Sequence, residues 1–231
     1  PVQNAVDAAH AQGAFVFWNH PYWTTEKPDG IARITEFHRR NIRAGKLHGI
    51  EIANGRDYSA EAHEIALQHD LALIGVSDVH NLIDWDYPPH EAQHRPVNLV
   101  LAEAKTADAL RNALFAKRTL VWFRDLLIGR KAELDAMLQA SLQVTSASYR
   151  PNTQVLDVTV SNRSEVNFRL RNLTKMTFMD HAQHIVIPAH GSLTFAVKPG
   201  DTVDQLRLKF AVENALLAPR TPATISLNVQ P

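Results

Sequence analysis

The chain has 231 residues, enough for one large domain or two smaller ones with separate cores. Its 24 Lys plus Arg balance 24 Asp plus Glu, so no global field favours nucleic acid or an acidic surface. With no cysteine it has neither disulfides nor thiolate metal sites, and no apolar run is long enough to span a membrane.

In chain order, helix-like residues Asn4–Gln12 lead into an apolar strand, Ala14–Trp18, that ends in Asn19-His20-Pro21. Pro21 forces an extended exit. A helical pattern over Ile31–Ala44 precedes the strand Gly49–Ala53, which carries an acid, Glu51, and closes on the turn signal Asn54-Gly55. A buried Glu rarely goes without a partner, which a metal or its bound water would supply. The other readings of Glu51 are an ion pair with an arginine on a neighbouring helix, or an alternation that turns it outward.

The helix Ser59–His69 leads to a third strand, Leu71–Val76, followed directly by Ser77-Asp78-Val79-His80. Alternation along a strand puts residues i and i+2 on one side, so Asp78 and His80 can point into one cavity past its end. A carboxylate and a neutral imidazole converging there form half of a zinc, manganese or iron site. The plainer alternative is a strand-to-loop turn with Asp78 as a cap and His80 in solvent.

The connection Asn81–Arg95 is long for an irregular segment. Its Trp85, Tyr87, His90 and His94 could wall a pocket, and Arg95 could clamp a phosphate through paired hydrogen bonds, or else pair with an acid or cap a helix. Tyr22 and Trp23 are candidates for the same wall, and Trp18 for either wall or core. Beyond it come a strand at Val97–Leu101, a helix at Ala107–Lys117 with Thr106 as N-cap, a strand at Thr119–Trp122 and a helix at Lys131–Leu142. Alternation of strands and helices predicts βα units with parallel strands.

After about residue 142 the rhythm becomes short strands separated by turn signals such as Arg150-Pro151-Asn152 and Pro199-Gly200-Asp201, the pattern of a small antiparallel β-sandwich. Predicted strands are Gln143–Ser148, Val155–Val160, Asn167–Arg171, His184–Ile187, Ser192–Val197, Leu206–Val212 and Thr224–Val229. Phe195 and Phe210 alternate like core residues, so no exposed aromatic platform for carbohydrate is expected. Nine of the 12 histidines fall by His94, which places metal chemistry in residues 1–142. His181 and His184 are read as surface residues.

The segments "NHP", "GIEIANG" and "GVSDVH", with "HRPVNLVLAE" (His94–Glu103) and "LFAKRTLVWFRDLLIG" (Leu114–Gly129), resemble the later motifs of the PHP family, named for polymerase and histidinol phosphatase. The closest resemblance is to bacterial PHP phosphodiesterases with a C-terminal β domain, and it covers roughly the first 140 residues. It implies a distorted (β/α)7 barrel with two or three divalent ions, manganese, zinc or iron, hydrolysing phosphate esters. His20 matches the family's "HP" histidine ligand, and Asp78 and His80 match its "D-x-H" pair. Glu51 lies in a strand the family uses at the site, without a secure ligand match.

The expected protein is thus the C-terminal part of a PHP barrel (1–142) followed by a β-sandwich (143–231). Its expected activity is metal-dependent hydrolysis of small phosphodiesters, with metal on His20, Asp78 and His80, Glu51 catalytic, and Arg95, Asn54 and Trp85 contacting substrate. The alternatives are a C–N hydrolase on the same metals and a non-catalytic scaffold acting through its β domain. PHP proteins open with an H-x-H pair that is absent here. The expectation is that the first barrel strands, with half the metal ligands, belong to a separate N-terminal PHP fragment that acts as a partner. A small phosphoester is the expected substrate and a homo-oligomer is possible. Neither nucleic acid nor membrane is expected as a partner, and periplasm and cytoplasm both stay open.

Overall fold

The computed structural model describes residues 2–88 and 94–231. They form two compact units that divide between Glu133 and Leu134.

In the first unit, α1 (Val2–Ala11) leads to β1 (Phe17–Trp18), α2 (Glu36–Arg43), β2 (Gly49–Asn54), β3 (Asp57–Tyr58), α3 (Ala60–Gln68) and β4 (Ala72–Val76). Then come a short α4 (Ile83–Asp86), β5 (Val97–Val100), α5 (Ala107–Phe115), β6 (Thr119–Phe123), β7 (Leu126–Gly129) and the start of α6 (Lys131–Ser141). Strand β2 is central, parallel to β1 on one side and to β4 on the other, while β3 folds back antiparallel on its end. Both β2 and β4 are buried on both faces, which explains their near-continuous apolar runs.

Helix α2 starts at Glu36, five residues later than the pattern predicts. An Asx turn, in which Ile31 N donates to Asp29 Oδ1 at 3.1 Å, precedes the extended N-cap Thr35, whose N donates to His38 Nδ1 at 3.2 Å. Helix α5 begins at its expected cap, with Thr106 Oγ1 accepting from Ala109 N, and α3 begins one residue after its expected start, capped by Ser59 Oγ accepting from Ala62 N.

The expected run of parallel βα units stops at β4. Strands β5, β6 and β7 are antiparallel neighbours, because β6 and β7 are joined by a hairpin at Arg124-Asp125 that the sequence reading missed. Side chains join this sheet to β4. The Asn98 amide accepts from Gly75 N at 2.9 Å and donates to Gly75 O at 2.8 Å, and Thr119 Oγ1 donates to Leu73 O at 3.0 Å. A Cβ at Gly75 would meet Val121 Cγ1 at 2.6 Å, so only glycine permits this approach.

The second unit holds the rest of α6 and eight strands: β8 (Leu142–Tyr149), β9 (Leu156–Asn162), β10 (Phe168–Asn172), β11 (Thr177–Phe178), β12 (His184–Ile187), β13 (Ser192–Lys198), β14 (Leu206–Ala218) and β15 (Thr221–Val229). They pair antiparallel in two sets, β12-β10-β14-β15 and β11-β13-β9-β8. Alternate residues fill the core, where the rings of Phe178, Phe195 and Phe210 pack at centroid distances of 4.9–6.3 Å. All three are buried, as is Phe168.

Candidate active site

The first unit carries a cavity of about 490 Å³ where the loop after β1, the end of β2 and the end of β4 meet. At its floor is Glu51, fully buried in the middle of β2. The pairing with β4 slips a residue there: Glu51 lies opposite Ile74 and Ala53 opposite Gly75, so Ile52 is the extra residue of a bulge. Bulges of this kind re-aim a side chain. This settles Glu51's two alternatives: it is neither turned outward nor paired with an arginine.

One carboxylate oxygen, Glu51 Oε1, accepts from Asn54 Nδ2 at 3.0 Å and from the backbone N of His20 at 3.3 Å. The other, Oε2, is buried with no hydrogen-bond partner among the described residues. Burial pushes the Glu51 carboxyl above its ordinary range, against the pull of the Asn54 and His20 contacts. The Nδ1 of His20 lies 3.1 Å from Asn54 Nδ2 and 3.7 Å from Glu51 Oε1, and its Nε2 lies 3.9 Å from Asp78 Oδ1.

His20 and Asp78 both sit in the left-handed region, with φ of 50° and 52°. A non-glycine residue there stores strain that the surrounding fold must over-determine, and such residues gather at functional sites. That conformation also upsets the alternation argument for His80. Strand β4 ends at Val76 and the chain turns at Asp78, so period two no longer applies two residues on. His80 is exposed and does not line the cavity. Among the described residues no group of three or more His, Cys, Asp or Glu side chains is placed so that it could by itself hold a metal ion.

The other predicted contacts sort differently. Asn54 lines the cavity, with its amide nitrogen against Glu51 Oε1 and His20 Nδ1. Trp85 is 69% exposed on α4 and Arg95 is exposed, and neither lines the cavity. The phosphate clamp expected of Arg95 and the wall expected of Trp85 therefore have no place in the lining of this cavity, and His94 faces Arg95 O at 2.7 Å and Arg124 O at 2.9 Å. His90 lies outside the described residues. Trp18 stacks on His38 at 3.8 Å rather than lining the cavity.

The walls the sequence reading missed come from β3 and the start of α3: Asp57, Tyr58 and Glu61 join Tyr22 and Trp23. A two-residue strand has no periodicity to read, so these residues gave no signal. The lining contains four acids, Glu51, Asp57, Glu61 and Asp78, and no lysine or arginine. Arg56 and Arg124 nearby donate to the carbonyls of Asp86 and Arg56.

Comparison with solved structures finds a two-domain protein containing a predicted PHP-like metal-dependent phosphoesterase, from Bacteroides vulgatus. Identity is 28% over 99% of this chain and 66% of that one, with a TM-score of 0.89, so the chain spans just under two thirds of that protein. Residues 142–228 match the model of a family described as an Ig-like domain, in accord with the sandwich in the second unit. No curated protein matches the chain.

Proposed function

We propose that the protein is a metal-dependent phosphoesterase acting on small phosphodiesters, with its centre in the cavity of the first unit. One observation carries this reading: a buried carboxylate oxygen, Glu51 Oε2, has no partner among the described residues and sits in a cavity that they line with four acids and no lysine or arginine. An anionic phosphate cannot enter such a cavity unless cations neutralise it. The likeness to the Bacteroides protein supports the same chemistry.

Glu51, His20 and Asp78 would each contribute a donor toward a divalent ion that needs further ligands, a hard-to-borderline set of carboxylates and imidazole that suits manganese, iron or zinc. Such an ion supplies charge that offsets the phosphate oxygens and lowers the pKa of a water. The rest falls to the chain itself. Asn54 fixes the carboxylate and the imidazole against each other, the bulge at Ile52 aims Glu51 inward, and the strained backbone at His20 and Asp78 brings two strand ends together. These three donors fall short of a centre of two or three ions. In this proposal the remaining ligands, with His80 as a peripheral one, come partly from a PHP segment outside these 231 residues.

The test is hydrolysis of bis(p-nitrophenyl) phosphate and p-nitrophenyl phosphate by the intact protein, dialysed against a chelator and then given Mn²⁺, Zn²⁺ or Fe²⁺. The diester should turn over faster than the monoester, and only with metal. Cleavage of amides or lactones with neither ester attacked would overturn the proposal.

A further inference from the structure

We propose that the outer half of the cavity, built from Tyr22, Trp23, Tyr58, Asp57 and Glu61, is a subsite for an organic cation, an ammonium or quaternary ammonium group carried by the substrate. This deepens the phosphoesterase reading and rests on it.

The wall is aromatic. Tyr22 Oη donates to Asp57 O at 3.4 Å and Tyr58 Oη bonds His63 Nδ1 at 2.9 Å, so both hydroxyls are engaged and the rings remain as lining. Trp23 is 50% exposed at the same cavity, an indole with no core to fill. Between these rings lie two carboxylates without a basic partner among the described residues: Asp57, and Glu61, whose Oε2 accepts from Ser59 Oγ at 3.2 Å.

A hard divalent ion gains nothing from aromatic walls, because it seeks oxygen donors. An organic cation gains twice, from the negative field and from the π-faces, of which tryptophan is the strongest. A neutral or anionic leaving group gains neither. The floor adds to the negative field, since Glu51 Oε2 is buried there without a partner among the described residues before any divalent ion binds. At about 490 Å³ the cavity is large enough for a substrate group beyond the phosphoryl centre.

The experiment uses choline and its uncharged isostere 3,3-dimethylbutanol as probes, titrated into the intact protein and followed by Trp fluorescence and ligand NMR. Choline should bind about tenfold more tightly than the isostere, and Asp57→Asn or Trp23→Ala should weaken choline binding by about tenfold. Both side chains are exposed, so neither substitution threatens folding, and thermal unfolding checks this. In parallel, p-nitrophenyl phosphorylcholine is compared with ethyl p-nitrophenyl phosphate. The choline ester should have the higher kcat/KM, and Asp57→Asn should remove its advantage.

Equal binding of choline and its isostere, or undiminished choline binding in Asp57→Asn, overturns the subsite. If both diesters turn over alike, the subsite falls while the phosphoesterase stands. If choline binds selectively but neither ester is cleaved, the subsite stands and the phosphoesterase reading falls.

Discussion

The two units treat buried polar groups in opposite ways. In the second unit, Asn162 accepts at Oδ1 from Ser164 N and Oγ and donates from Nδ2 to Val166 O and Pro188 O. Asn172 repeats the device with Thr174 and Met176, and Asn214 ties Arg169 N to Asn167 O. These amides pin turns and strand crossings, and each has partners on both ends. In the first unit, Glu51 sits in the central strand with one oxygen matched and the other unmatched, beside two residues in left-handed backbone. A fold built for stability closes its polar networks; an open one, flanked by strain, marks where something else binds.

The largest expected effect separates these roles. Glu51→Gln should lower kcat by about a thousandfold, since a neutral amide can neither hold a cation nor offset its charge. The same substitution should raise metal-free stability by about 1 kcal/mol, because it removes an unmatched buried charge. Asn162→Ala should do the reverse, destabilising by about 2–3 kcal/mol through the partners it strands and leaving metal affinity intact. Steady-state kinetics with chemical denaturation checks both; a loss of stability in Glu51→Gln would end the contrast.

Next comes a pH effect. His63 is fully buried, bonds Tyr58 Oη through Nδ1 and has no partner at Nε2 among the described residues. Burial, and then the nearby Arg130, push it down from 6.5 to about 4. The fold therefore favours the neutral ring, and the unfolded chain takes up the proton first as pH falls. Stability from this group is complete above about pH 6.5 and is lost as pH drops toward 4, on the order of 3 kcal/mol in all. His63→Gln should flatten the change in melting temperature between pH 7 and pH 5; an unchanged slope would show that other groups set it.

Much of this was legible in the sequence, and for physical reasons. Thr106 announces its helix because an oxygen before a periodic run has one obvious use. Strands β2 and β4 read clearly because burial on both faces demands apolar runs, and the acids within and just past them, Glu51 and Asp78, stand out against them. The antiparallel turn of β5–β7 was hidden because pairing direction leaves no mark in four-residue strands. His80 is exposed outside the cavity lining because alternation stops with β4 at Val76, before the left-handed Asp78. Arg95 and Trp85 were assigned by composition alone, which says nothing of where a loop points.

The smallest expected effects therefore belong to that loop. Trp85 is 69% exposed and Arg95 is exposed, so Trp85→Ala and Arg95→Ala remove no packed contact of the cavity. Each should change stability by less than about 0.5 kcal/mol and kcat/KM on a diester by less than about threefold. The neighbouring His94→Ala should cost more, because that ring faces two carbonyls and packs on Trp122 at 4.1 Å. Kinetics and thermal unfolding of the three variants, run side by side, order them. A tenfold rise in KM for Arg95→Ala with stability unchanged would mean that the loop closes over substrate during turnover. The cavity would then gain a basic wall, and its acid-lined, cation-seeking character would hold only for the open state.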